Sequence, residues 1–101
     1  ASLFPGSEAL RERERLVVAP WVSSLRSYRI TLTPPVFNNA RLALFLVSGE
    51  KKAEALKAVL EGDFQPDRFP AQIIRPEDGR LLWMVDRAAA RELLPQVGEV
   101  G

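Results

Sequence analysis

Apolar residues come in short, well-separated blocks along this chain, and most blocks have a readable period. Leu16-Val17-Val18-Ala19-Pro20 is an apolar run closed by proline, which predicts a strand. Ser23 to Ser27 is a polar turn, and Tyr28-Arg29-Ile30-Thr31-Leu32-Thr33 alternates and carries β-branched residues. That is the pattern of a second strand, and the two are expected to pair as a hairpin-like unit. Upstream, residues 7–15 are polar with interleaved charges, and Ser7 can cap a short helical turn through Leu10.

Thr33-Pro34-Pro35 is a helix start signal. Thr33 is expected to accept backbone N–H bonds as N-cap, and Pro34 at the first position lacks only an N–H that has no helical partner. A short helix is expected from Pro34 to about Asn39. Leu42-Ala43-Leu44-Phe45-Leu46-Val47 is continuously apolar, which predicts a strand buried on both faces, as in a parallel sheet covered by helices. Ser48-Gly49 turns into a helix over Glu50 to Glu61, with Ala53, Leu56, Val59 and Leu60 as its apolar stripe. Glu54 and Lys57 are expected to pair on its wet face, and Gly62 ends it. Asp63 to Pro70 reads as loop, Ala71 to Ile74 as a short apolar stretch, and Glu77-Asp78-Gly79 as a turn. Leu81 to Val85 is another buried strand, with Trp83 packed in the core. Asp86 caps a last helix over Arg87 to Leu94, ended by Pro95, and residues 96–101 are expected to fray.

The order of elements predicts an α/β fold. The expected architecture is part of a mostly parallel, Rossmann-like sheet flanked by helices, with a small antiparallel element near the N-terminus. A length of 101 residues allows one domain or part of a larger one. The 47% apolar content is enough to offset ordering entropy. With 14 basic and 13 acidic residues the net charge is +1, which argues against a nucleic-acid partner. The absence of Cys excludes disulfides and thiolate metal sites and fits a cytoplasmic location. No apolar run approaches the roughly 20 residues of a membrane span, so no membrane partner is expected.

Chemistry is narrowed further by the absence of His as well as Cys. No Ser–His or Cys–His couple can form within these residues. Asp63, Asp67, Glu77 and Asp78 lie in loops without metal-ligand spacing, and no Gly-x-Gly-x-x-Gly or Walker pattern occurs. Two cations are better placed. Arg41 sits between the short helix and the first buried strand, where a guanidinium fork can hold a phosphate through two hydrogen bonds. The plain alternative is a surface Arg lying over a sheet edge. Lys52 lies in the first turn of a helix that follows a buried strand. In open α/β sheets ligands lie beyond such strand ends, and a helix N-terminus favours an anion. Its plain alternative is a solvated helix face shared with Lys51.

Three stretches together resemble a known family. Ser2-Leu3-Phe4-Pro5-Gly6 resembles the end of the Gly-His-Thr-Ala-Ser-Leu-Phe-Pro-Gly loop of 6-phosphogluconolactonases. Thr31-Leu32-Thr33-Pro34-Pro35-Val36-Phe37-Asn38-Asn39-Ala40-Arg41 resembles their Thr-Leu-Thr-Leu-Pro-Val-Leu-Asn-(Asn/Ala)-Ala-Arg stretch, with Pro34 where Leu is usual. Ser48-Gly49-Glu50-Lys51-Lys52-Ala53 resembles the Ser/Thr-Gly-x-x-Lys-Ala turn that lactonases share with glucosamine-6-phosphate deaminases.

The resemblance implies hydrolysis of 6-phosphogluconolactone to 6-phosphogluconate in the pentose phosphate pathway, without a cofactor. It implies that the chain is the C-terminal part of such an enzyme, inactive alone because the general-base His lies upstream. A complementary N-terminal portion is then the expected partner. Arg41 and Lys52 would bind the substrate phosphate together, Ser2, Leu3, Phe4 and Asn38 would line the pocket, and no residue of this chain would be catalytic. Related deaminases carry a Glu directly before the loop Pro, where this chain has Phe4, and a phenyl ring relays no proton. An amino-sugar phosphate deaminase or isomerase fragment, or a non-catalytic sugar-phosphate-binding module, are the alternatives.

Overall fold

The computed structural model describes residues 1–94. The expected helix stop at Pro95 and the frayed tail lie outside the described residues. Ser7 caps a 3₁₀ turn over Glu8–Arg11 as expected, its Oγ accepting the Ala9 N–H at 3.2 Å.

One hairpin builds the next part in two ladders. β1 (Val17–Val18) pairs antiparallel with β4 (Thr31–Leu32), and β2 (Trp21–Val22) with β3 (Ser27–Tyr28). The hairpin-like pairing is the expected one, but the first strand resumes beyond Pro20 as β2, and the second is split into β3 and β4. Pro20 sits at one break and lacks an N–H for the ladder; its carbonyl instead accepts the Arg29 N–H at 3.1 Å. Trp21 packs edge-on against Tyr28, with ring centroids 5.2 Å apart.

α1 (Pro34–Asn38) starts at the expected place, but not by the expected cap. Thr33 makes no side-chain bond to the helix. It is fully buried, and its Oγ1 donates to the Arg15 carbonyl at 2.5 Å while its N–H donates to Leu16 at 3.1 Å. A tertiary acceptor has taken the hydroxyl, so Thr33 joins the start of the hairpin to its end.

β5 (Leu42–Val47) and β6 (Arg80–Val85) run parallel in register, from Leu42 opposite Arg80 to Val47 opposite Val85. A 3₁₀ turn over Glu50–Lys52, then α2 (Ala53–Glu61) and a second 3₁₀ turn over Pro70–Ile73, connect them. α3 (Arg87–Ala90) follows β6 and packs against α2. It is shorter than the expected 87–94. The fold is α/β, but among the described residues the strands form three two-stranded sheets, only one of them parallel. An extended Rossmann-like sheet is not what the described residues form. A parallel sheet grows by one strand per crossover, and this stretch contains a single strand–helix–strand unit.

Burial on both faces of β5 is likewise corrected. Leu42, Leu44 and Leu46 point to one face and are 51%, 51% and 78% exposed, because nothing among the described residues covers them. On the other face Phe45 stacks on Trp83 at 4.0 Å and 7°. The best-buried apolar groups are Ala53 and Leu56 of α2, Ala89 of α3, Ile74, Ala9, Leu10 and Val22. Lys57 pairs with Glu61 at 3.2 Å, one turn on, rather than with Glu54. Among the described residues no helix is long and apolar enough to cross a membrane.

Candidate functional site

The opening loop is held against the hairpin. Ser2 donates its N–H to the buried Thr31 Oγ1 at 3.0 Å, and that hydroxyl donates on to the Leu32 carbonyl at 2.7 Å. The Phe4 carbonyl accepts the Ser7 N–H at 3.1 Å, closing a turn in which Gly6 takes φ 72°. That left-handed angle is one glycine adopts readily. The Arg29 guanidinium lies over the Phe4 ring, 5.8 Å from its centroid. This contact holds a cation at the loop that the resemblance marks as the active-site loop. Sequence reasoning treated Arg29 only as a strand residue. The available signal was its position just ahead of the Thr31-Leu32-Thr33 run, in a strand expected to pair close by.

A second cationic element follows β5. Gly49 takes φ 95°, and its N–H donates to both oxygens of Asp86 at 3.2 Å. Asp86 also caps α3, accepting the Ala89 N–H at 2.8 Å. The Gly49 carbonyl accepts the Lys52 N–H at 3.2 Å, which starts the 3₁₀ turn. Glu50 is ion-paired with Arg91, so both ends of α3 hold this turn. Lys51 and Lys52 are exposed. The arrangement expected here is present: a parallel strand, a Gly turn, then helical backbone carrying Lys52 at the strand's C-terminal end.

Arg41 is elsewhere. It precedes β5 at the end where β6 begins, its carbonyl accepting the Arg80 N–H at 2.9 Å. The six residues of β5 separate it from the turn bearing Lys52, about 20 Å along the strand. The structure does not bring Arg41 and Lys52 to one rim. A strand lies between them, and following it carries the chain to the opposite end of the sheet.

Asn38 is also redirected. Its Nδ2 donates to the Ile73 carbonyl at 3.0 Å and its Oδ1 accepts the Arg75 N–H at 2.6 Å. Both ends of the amide are therefore engaged by backbone, tying α1 to the segment ahead of β6. It lines a cavity with Leu10, Arg13 and Glu77, apart from the one that Leu3 lines. Leu3 and Ala1 border an open apolar groove of about 530 Å³ along β5, with Leu44, Phe45 and Ile74. No charged side chain lines that groove, so it does not suit a phosphate.

Among the described residues no group of three or more His, Cys, Asp or Glu could hold a metal ion. Glu12 has its carboxyl pulled down to about 2 by the backbone N–H groups of Arg15 and Glu14 and by the Arg15 side chain. It shapes the approach to β1 and lies in the connection, not at either cationic element.

The family model described as "Glucosamine-6-phosphate isomerases/6-phosphogluconolactonase" matches residues 1–83. The chain is 46% identical over 94 residues to a human 6-phosphogluconolactonase, covering 91% of this chain and 36% of that protein. It is 37% identical over 95 residues to a 6-phosphogluconolactonase of Synechocystis, covering 94% and 38%. Among solved structures, one titled devB protein superposes with TM-score 0.78 at 27% identity, over 93% of this chain and 39% of that one. The 6-phosphogluconolactonase of Trypanosoma brucei superposes with TM-score 0.76 at 26% identity, over 93% and 37%. The chain thus spans a little over a third of the length of the relatives it matches.

Proposed function

This chain belongs to the glucosamine-6-phosphate isomerase/6-phosphogluconolactonase family, and from that premise we propose that it is a phosphate-anchoring part of a 6-phosphogluconolactonase. The reaction is hydrolysis of 6-phosphogluconolactone to 6-phosphogluconate, a step of the pentose phosphate pathway in the cytoplasm. The observation that carries this reading is the turn after β5, where Lys52 stands at the C-terminal end of a parallel strand. Ligands of open α/β sheets collect at that end.

Lys52 would bind the 6-phosphate, and Arg29, over Phe4, would be the second cation of the site in place of Arg41. The chemical step needs a base to take a proton from water. Hydroxide adds to the lactone carbonyl, the bond to the ring oxygen breaks, and that oxygen takes up a proton. With no His among the 101 residues, the base would come from the rest of the full-length protein. The residues present would fix the substrate by its phosphate, so that the carbonyl meets the base in one orientation. Phe4 supports the lactonase reading over a deaminase, since this slot carries no acid. The exposed row Leu42, Leu44 and Leu46 supports an apolar layer from the rest of the protein over that face of the sheet.

Kinetics of the full-length protein test the reading. Lys52→Ala and Arg29→Ala are each expected to raise KM, at a cost of about 1.5–3 kcal/mol for a hydrogen bond to a charged group. The 101-residue chain alone is expected to be inactive. An unchanged KM in both variants would remove these cations from the site, and turnover by the isolated chain would end the division of labour.

A further inference from the structure

We propose that Asp86 is a positioning residue that sets the shape of the Ser48–Lys52 turn, and through it the grip on the substrate phosphate. The inference rests on the reading of Lys52 given above. Asp86 stands where β6 ends, and its own N–H donates to the Val47 carbonyl at 3.3 Å, so its backbone is tied to the end of β5. From there one carboxylate serves two elements. It accepts the Gly49 N–H with both oxygens at 3.2 Å and the Ala89 N–H at 2.8 Å.

Gly49 is the weak point of the turn. At φ 95° and ψ 150° it occupies a conformation that glycine adopts but is not compelled to keep. Something outside the turn must select it, and the Asp86 carboxylate is the charged partner in place to do so. The consequence passes directly to the cation: the Gly49 carbonyl accepts the Lys52 N–H, so the orientation of Gly49 fixes where the 3₁₀ turn begins and which way Lys52 leaves it. The exposed Glu50–Arg91 pair holds the same turn, but exposed pairs contribute little. Asp86 also occupies the Gly49 N–H, so contact with an anion falls to the later residues of the turn and to Lys52.

The test is steady-state kinetics of the full-length protein with 6-phosphogluconolactone. Asp86→Ser keeps a good N-cap for α3 but is too short to reach Gly49. It is expected to raise KM roughly tenfold while lowering kcat much less. Asp86→Asn keeps one acceptor oxygen and is expected to fall between wild type and Asp86→Ser. Lys52→Met is the reference, and the double variant with Asp86→Ser is expected to be no worse than Lys52→Met alone, since Asp86 acts through Lys52. If Lys52→Met raises KM and neither Asp86 variant does, this proposal is overturned and the phosphate reading stands. Full additivity of the two sites also overturns it. If Lys52→Met leaves KM unchanged, the phosphate reading falls, and this inference with it. Should Asp86→Ser fail to fold, Asp86→Asn with Lys52→Met decides by the same criteria.

Discussion

Glu12 makes the clearest residue-scale statement about pH. Its carboxylate accepts the Arg15 N–H at 3.0 Å and the Glu14 N–H at 3.1 Å, and the Arg15 Nε at 2.9 Å. These bonds hold its pKa near 2 instead of 4.5. A depressed carboxyl pKa stabilises the folded form above the unfolded pKa, because the unfolded chain binds the proton first. The contribution is therefore complete above pH 4.5 and disappears as pH falls towards 2. Denaturation of the full-length protein across that window should lose part of its pH slope in Glu12→Gln. An identical slope in the variant would mean the bonds do not form in solution. Gly79 poses a different constraint. A Cβ there would lie 2.2 Å from the Ala40 carbonyl oxygen and 2.8 Å from that of Arg41. Both are backbone atoms, so no rotamer relieves the clash, and Gly79→Ala is expected to destabilise by about 1–3 kcal/mol. A melting temperature unchanged by that substitution would contradict the close approach.

Elements were legible wherever one short-range rule governs them. The apolar run gave β5 its limits at Leu42 and Val47, and Thr33-Pro34 placed the start of α1. What was illegible depended on partners remote in sequence. The expected cap at Thr33 failed because the Arg15 carbonyl offered a tertiary acceptor. Gln72, inside a short apolar stretch, gave no sign that it would be buried. Its amide nonetheless serves the carbonyls of Ala58, Val59 and Asp63 and the N–H of Gln65, closing the C-terminal end of α2. The candidate site divides in the same way. The turn bearing Lys52 follows from strand, Gly and helix in succession. The pairing of Arg41 with Lys52 did not survive, because nearness in sequence hides the strand between them. Periodicity also could not tell which face of β5 is covered, since a continuous apolar run reads alike on both sides. The covered face carries the stacked Phe45 and Trp83. A double-mutant cycle of Phe45→Leu and Trp83→Leu should return a coupling of about 0.5–1.5 kcal/mol. A coupling near zero would mean that the rings contribute by area alone.

The whole molecule carries more apolar surface than its core uses. Leu42, Leu44 and Leu46 form an exposed row on β5, and Leu82 and Met84 of β6 are 40% and 52% exposed. A two-stranded parallel sheet does not normally stand alone in water, because parallel strands are stable when both faces are covered. β5 and β6 pair only with each other among the described residues, so each also leaves a backbone edge open to further pairing. Row and edge lie on the same element, and satisfying both calls for another strand together with an apolar layer. In the full-length protein the rest of the chain would supply them. In the 101-residue chain alone the nearest available surface of that kind is a second copy. The isolated chain is therefore expected to associate with rising concentration. Leu44→Lys together with Leu46→Lys should weaken that association by placing charge on the row while leaving the β5–β6 ladder intact. Sedimentation velocity over a concentration series measures this directly. A single monomeric boundary at all concentrations, with a cooperative melt, would mean that the exposed row is tolerated and that β5 is an outer edge by design.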